Sequence, residues 1–99
     1  MYVIYGEISI LLPYCANLKE KRKIVLSIVE RIRKRFNISI AEVQDHDLWQ
    51  KCSLGFSAVT SKHSEIEVMV DAVYSTLERH INDIEILSFQ YDIIRPSDQ

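Results

Sequence analysis

The chain has little glycine, proline or cysteine, two of each in 99 residues. Gly6 and Gly55 stand far apart, and no P-loop or dinucleotide fingerprint can be built without closely spaced glycines for its tight turns and backbone approach. Nothing therefore points to nucleotide hydrolysis. Cys15 and Cys52 are in no CxxC spacing, so neither a disulfide framework nor a zinc site is indicated, and both are expected as free thiols. No linker, internal repeat or low-complexity segment interrupts the chain. A long hydrophobic run is also missing. The apolar stretch from Tyr2 to Leu12 contains Glu7, follows no basic residue and is about half of the ~20 residues that a membrane span needs. It reads as a buried strand, so a cytoplasmic location without a membrane partner is the expectation.

What is present suits a globular domain. With 47% hydrophobic and 26% charged residues, the chain has material for one two-layer core and no second. A single domain over residues 1–95 is expected, with 96–99 a flexible C-terminal tail. The formal net charge of −2 conceals a segregation. Between Asn17 and Phe36 lie eight of the twelve basic residues against Glu20 and Glu30 alone, a local +6 opposed by −8 elsewhere. Such a dipolar surface steers a polyanion to one side, or serves self-association; a merely solvated helix face is the plain alternative.

The same stretch carries the clearest fold signal. Val25, Ile28, Val29, Ile32 and Phe36 recur at steps of three and four, forming one apolar helical stripe, and Asn17 with Glu20 supplies a capping box. Before it, residues 2–12 alternate as a strand with Tyr2, Ile4, Ile8, Ile10 and Leu12 on one side, stopped by Pro13. After it, Asn37 is the expected left-handed terminator. Residues 38–43 make a short edge strand in which Ile38 and Ile40 share a face with Glu42. Residues 52–60 present Leu54, Phe56 and Ala58 to one side and should pair with 38–43 as a hairpin. Ser64 and Glu67 offer a second capping box before the stripe Ile66, Met69, Val70, Val73 and Leu77. The last strand, 84–95, changes phase after Ile86, the mark of a bulge or of two partly covered faces.

The order β-α-β-β-α-β is that of an α+β, ferredoxin-like two-layer sandwich, with a four-stranded antiparallel sheet and both helices on one face. The other face stays open. Tyr5, Leu11, Val59 and part of the last strand are then exposed unless a second copy covers them, which favours a homo-oligomer, most simply a dimer.

In this topology the basic helix begins beside the loop between the second and third strands. Lys21 and Arg22 border the apolar stripe and can lean toward Asp45, Asp47, Trp49 and Gln50, giving a candidate binding patch. Along the helix, Lys19, Lys23, Arg31 and Lys34 are candidate phosphate contacts. The structural alternative has Asp47 paired with Arg22 or Lys21, Trp49 closing the core and Gln50 satisfying turn backbone. No catalytic residue, cofactor site or metal site is expected. Asp45, His46 and Asp47 are adjacent on a loop, where neighbours rarely chelate together, and no Cys-His signature surrounds Cys15. On the third strand, Ser53, Gly55 and Ser57 leave the open face without the aromatic platform of an RNA-recognition motif.

The blocks LKEKR at 18–22, RFNISIAEV at 35–43 and DLWQ at 47–50 resemble the YlxP-like family of small bacterial proteins, a domain family of unknown function. The resemblance runs from Glu7 through Leu77. It departs at Tyr14 to Asn17, where small or polar residues with a serine are expected before LKEKR, and at Gly6 within the first strand. It implies a ferredoxin-like domain, often self-associated, and genes placed among those for translation initiation and ribosome maturation; it supplies no catalytic residue. The expectation is a non-enzymatic binding module associated with RNA or the ribosome and translation machinery through its basic helix. The alternative is a homodimeric protein-protein adaptor without a nucleic-acid role.

Overall fold

The computed structural model describes residues 1–96. Its elements follow in the order β1 (Tyr2–Leu11), α1 (Leu18–Arg35), β2 (Ser39–Gln44), β3 (Lys51–Thr60), α2 (Ser64–Glu78) and β4 (Glu85–Ile94). The strands form one antiparallel sheet ordered β2-β3-β1-β4. This is the ferredoxin-like α+β sandwich. The expected tail lies for three of its four residues, 97–99, outside the described residues.

Alternation along β1 places Ile4, Ile8 and Ile10 in the core, opposite Ala58, Leu54 and Cys52 of β3. From above, α1 adds Val25, Ile28, Val29 and Ile32 and α2 adds Ile66, Met69, Val70, Val73 and Leu77, so a single apolar cluster joins both helices to the same sheet face. At Gly6 in mid-strand, a Cβ would meet the Phe56 ring at 2.5 Å and the Gln90 carbonyl at 2.6 Å, which explains a glycine where strand propensity disfavours one.

Local signals resolve unevenly. The Asn17 side chain accepts from the Glu20 amide at 2.9 Å, while the Glu20 carboxylate reaches one residue further back than a standard box, to the Ala16 amide at 3.0 Å. Ser64 caps nothing: it lies inside α2, whose first residues bond to the carbonyls of Lys62 and His63 instead. Nor is Asn37 left-handed. Helix α1 ends in an extended Phe36, and the positive φ among the described residues belongs to Asp45, at 65°. The phase change in β4 is a bulge at Leu87, where Ser9 pairs with Ser88 and Ile10 with Ile86.

Candidate functional site

The start of α1, the end of β1, the β2–β3 loop and the α2–β4 turn meet at one end of the sandwich. The ammonium of Lys21 lies at the centre of this junction. Its side chain is 1% exposed, and Nζ donates to the carbonyls of Asp45 at 2.7 Å and Leu48 at 2.6 Å. A third neighbour, Glu42 Oε2, is 2.7 Å away at an angle that makes a charge pair rather than a hydrogen bond. Glu42 faces the core side because it sits across from Leu54 on β3, two residues after Ile40. The charged residue that shares a face with isoleucines in the edge strand is thus the counter-ion of Lys21.

Asp45 completes the junction. Its left-handed backbone turns the chain at the end of β2, its carbonyl accepts from Lys21 and from the Leu48 amide at 3.0 Å, and its carboxylate accepts from Ser53 Oγ at 3.1 Å. Gln50 fastens the other side: Nε2 donates to the carbonyls of Pro13 and Cys15, and its own carbonyl accepts from the Leu12 amide. Lys21 and Gln50 are therefore scaffold residues that hold the β2–β3 loop against the β1–α1 connection. The paired partner of Lys21 is Glu42, not Asp47. Trp49, 47% exposed, does not close the core; with Leu11, Leu48 and Gln50 it lines a shallow apolar hollow at the loop tip. Arg22 turns the other way, to a groove against β2 with Val25, Val29 and Ile40. Lys21 thus points inward, Arg22 lines the β2 groove and Trp49 lines the loop-tip hollow.

Both thiols are pushed toward their protonated form. Burial pushes the Cys15 thiol above its ordinary value of 9.0, and the Glu20 and Asp83 carboxylates add to the shift. Burial raises Cys52 to about 12, with the Glu42 carboxylate next in effect. Both stay protonated at neutral pH. Among the described residues no three histidine, cysteine or acidic side chains converge as a metal group, and no helix is long and apolar enough to cross a membrane.

The basic residues of α1 divide into two sets. Lys21, Arg33 and Arg35 are engaged internally: Arg33 Nη2 donates to the Ile40 carbonyl at 2.8 Å, and Arg35 Nη1 donates to Ser75 Oγ at 3.0 Å on α2. Lys19, Arg22, Lys23, Arg31 and Lys34 are exposed, and among the described residues none has a hydrogen bond or ion pair. Lys19, Lys23 and Lys34 follow the helix's outer line, interrupted by Glu30. Lys23 and Arg31 also flank a groove between the helices, about 360 Å³ in volume, where Arg79 and His80, just beyond the end of α2, join them. His80 is held there by Nδ1 against the Thr76 carbonyl at 3.0 Å, with Nε2 3.4 Å from Ser27 Oγ. Arg79 was not legible as part of this surface, because its place depends on how the helices pack.

Comparisons with known proteins agree with this architecture. The designed protein Foldit4 superposes with a TM-score of 0.58 at 9% identity, over 97% of this chain and 99% of its own. The Arabidopsis thaliana protein At3g17210 does so with a TM-score of 0.57 at 9% identity, over 96% and 95%. At these identities the likeness concerns the fold alone. In sequence, the chain is 31% identical over 74 residues to the uncharacterized protein YlxP of Bacillus subtilis (strain 168), covering 75% of this chain and 80% of that protein. The model of the family described as "Protein of unknown function (DUF503)" matches residues 3–91, and the chain belongs to that family.

Proposed function

We propose that this protein is a non-enzymatic module that binds the phosphate backbone of structured RNA, as on a ribosomal particle, through the outer face of α1. The observation that carries this reading is the division of the helix's cations. Cations needed by the fold are engaged by carbonyls and by Glu42, whereas Lys19, Arg22, Lys23, Arg31 and Lys34 are exposed and, among the described residues, without a partner, on a body that is otherwise acidic. A helix rises about 1.5 Å per residue, so Lys19 to Lys34 covers roughly 22 Å, enough to follow several phosphates. Contacts of this kind position a backbone without reading bases, which agrees with a third strand that presents Gly55 and Ser57 rather than aromatics beside the first.

An electrophoretic mobility shift with a folded ribosomal RNA fragment at low salt tests it. The intact protein should shift the RNA, and replacing Lys19, Lys23, Arg31 and Lys34 by Glu should abolish the shift. Retention of binding by that variant removes the reading.

A second reading is a homodimeric adaptor with no nucleic-acid role. It is favoured by large apolar side chains left in solvent around the sheet: Tyr5, Val59 and Ile94 are 46%, 60% and 49% exposed. Pull-down from its cell extract with and without nuclease separates the two: partners lost with nuclease support the first, partners retained support the second.

A further inference from the structure

The two sheet edges are not equivalent. At β2 the strand is short, irregular between Glu42 and Gln44, and the Ile40 carbonyl is covered by Arg33. These are devices that discourage strand addition. By contrast β4 is ten residues long, and Leu87, Tyr91 and Ile93 along it are 47%, 44% and 37% exposed. Among the described residues, the side chain that bonds its backbone is that of Asp92, whose Oδ1 accepts from the Ile93 amide at 2.8 Å.

The sequence of β4 is nearly symmetric about Gln90. Stepping outward in both directions pairs Phe89 with Tyr91, Ser88 with Asp92 and Leu87 with Ile93, while Glu85 and Arg95 mark the two ends with opposite charge. An antiparallel pair of identical strands about a two-fold axis at Gln90 brings these residues face to face. Aromatic meets aromatic, hydroxyl meets carboxylate, aliphatic meets aliphatic, and no like charges oppose one another. We infer that β4 pairs with β4 of a second copy in this register, making a continuous eight-stranded sheet.

Packing supports the same register. Half-buried Phe89 already stacks edge-on with the more exposed Tyr74 and Tyr91, at 5.3 and 6.4 Å between ring centroids, and the axis extends this aromatic row with its copy from the other chain. The bulge at Leu87 ends the ladder at each side, and a two-fold contact uses both β4 edges on each other, leaving only the guarded β2 edges outside. Stacking through the open face is the poorer solution, because Tyr5, Val59 and Ile94 share it with Glu7, Ser9, Ser57, Ser88 and Gln90, which a face-to-face dimer would bury. In the β4-paired dimer the α2 helices lie centrally and both α1 helices stay outside, so the cationic faces remain free. The inference is independent of the RNA reading.

The test uses the full chain. Residue 90 faces itself, and Cα atoms opposed in an antiparallel ladder are about 4.5–5.5 Å apart, within the span of a disulfide. The variant Gln90→Cys should therefore form a covalent dimer under mild oxidation, while Val59→Cys on the open face should not; Cys15 and Cys52 are buried and do not interfere. In a sedimentation titration without oxidant, Ser88→Lys should tighten the dimer and Ser88→Asp should loosen it, each by about tenfold, since the change is repeated twice at a two-fold axis. A monomeric Gln90→Cys, efficient cross-linking of Val59→Cys, or shifts of the same sign for both Ser88 variants would overturn the inference.

Discussion

An ammonium group withdrawn from water is tolerated only where acceptors replace its hydration shell, and Lys21 meets that condition with two carbonyls and the Glu42 carboxylate. Removing one side of such a pair leaves the other buried and uncompensated. Lys21→Met should cost about 3–5 kcal/mol in urea unfolding, and Lys21→Met with Glu42→Gln should recover part of that loss. A cost below about 1 kcal/mol would mean that the β2–β3 loop is held by other contacts. The thiol of Cys52 gives a pH signature at the same junction. Its folded pKa, about 12, is raised above the ordinary 9.0, so the folded state holds that proton more tightly than the unfolded chain. This contribution is complete below pH 9 and is lost as pH rises toward 12. The stability difference between the natural protein and Cys52→Ala should accordingly shrink over that window and stay constant from pH 6 to 8.

At the scale of elements, the helix starts separate a signal that forms from one that does not. Asn17→Ala removes a formed cap and should lower stability by about 1 kcal/mol, whereas Ser64→Ala should change it by less than about 0.5, both read from thermal unfolding. Both motifs read alike in sequence. The difference arises because Thr60 and Lys62 already turn the chain, with Thr60 Oγ accepting from the Lys62 amide at 3.1 Å, so α2 begins a residue early. The periodicities of β1, α1, β3 and α2, the edge position of β2 and the bulge in β4 were legible because each follows from burial alternating along one element. The candidate site was less so. Lys21 and Gln50 read as surface ligands because neighbours along a helix or loop do not reveal which carbonyls they reach. Glu42 carried a visible sign, a charge in phase with Ile38 and Ile40, but its meaning needed the partner strand and helix together. The left-handed Asp45 had no local sign to distinguish it from Asn37.

For the whole molecule, charge rather than shape separates the functional readings, since unrelated sequences share the fold. The acidic body and the cationic outer face of α1 are built on one apolar core, so a polyanion should approach from one side and release counterions as it docks. Each phosphate contact contributes roughly −0.7 to −0.9 to the slope of log binding constant against log salt. The deciding measurement is that slope for a folded ribosomal RNA fragment, determined for the natural protein and for Arg31→Gln. The account predicts a slope of about −3 to −4 for four or five contacts, made shallower by close to one unit in the variant. Binding that does not change with salt, or an unchanged slope in Arg31→Gln, would contradict it.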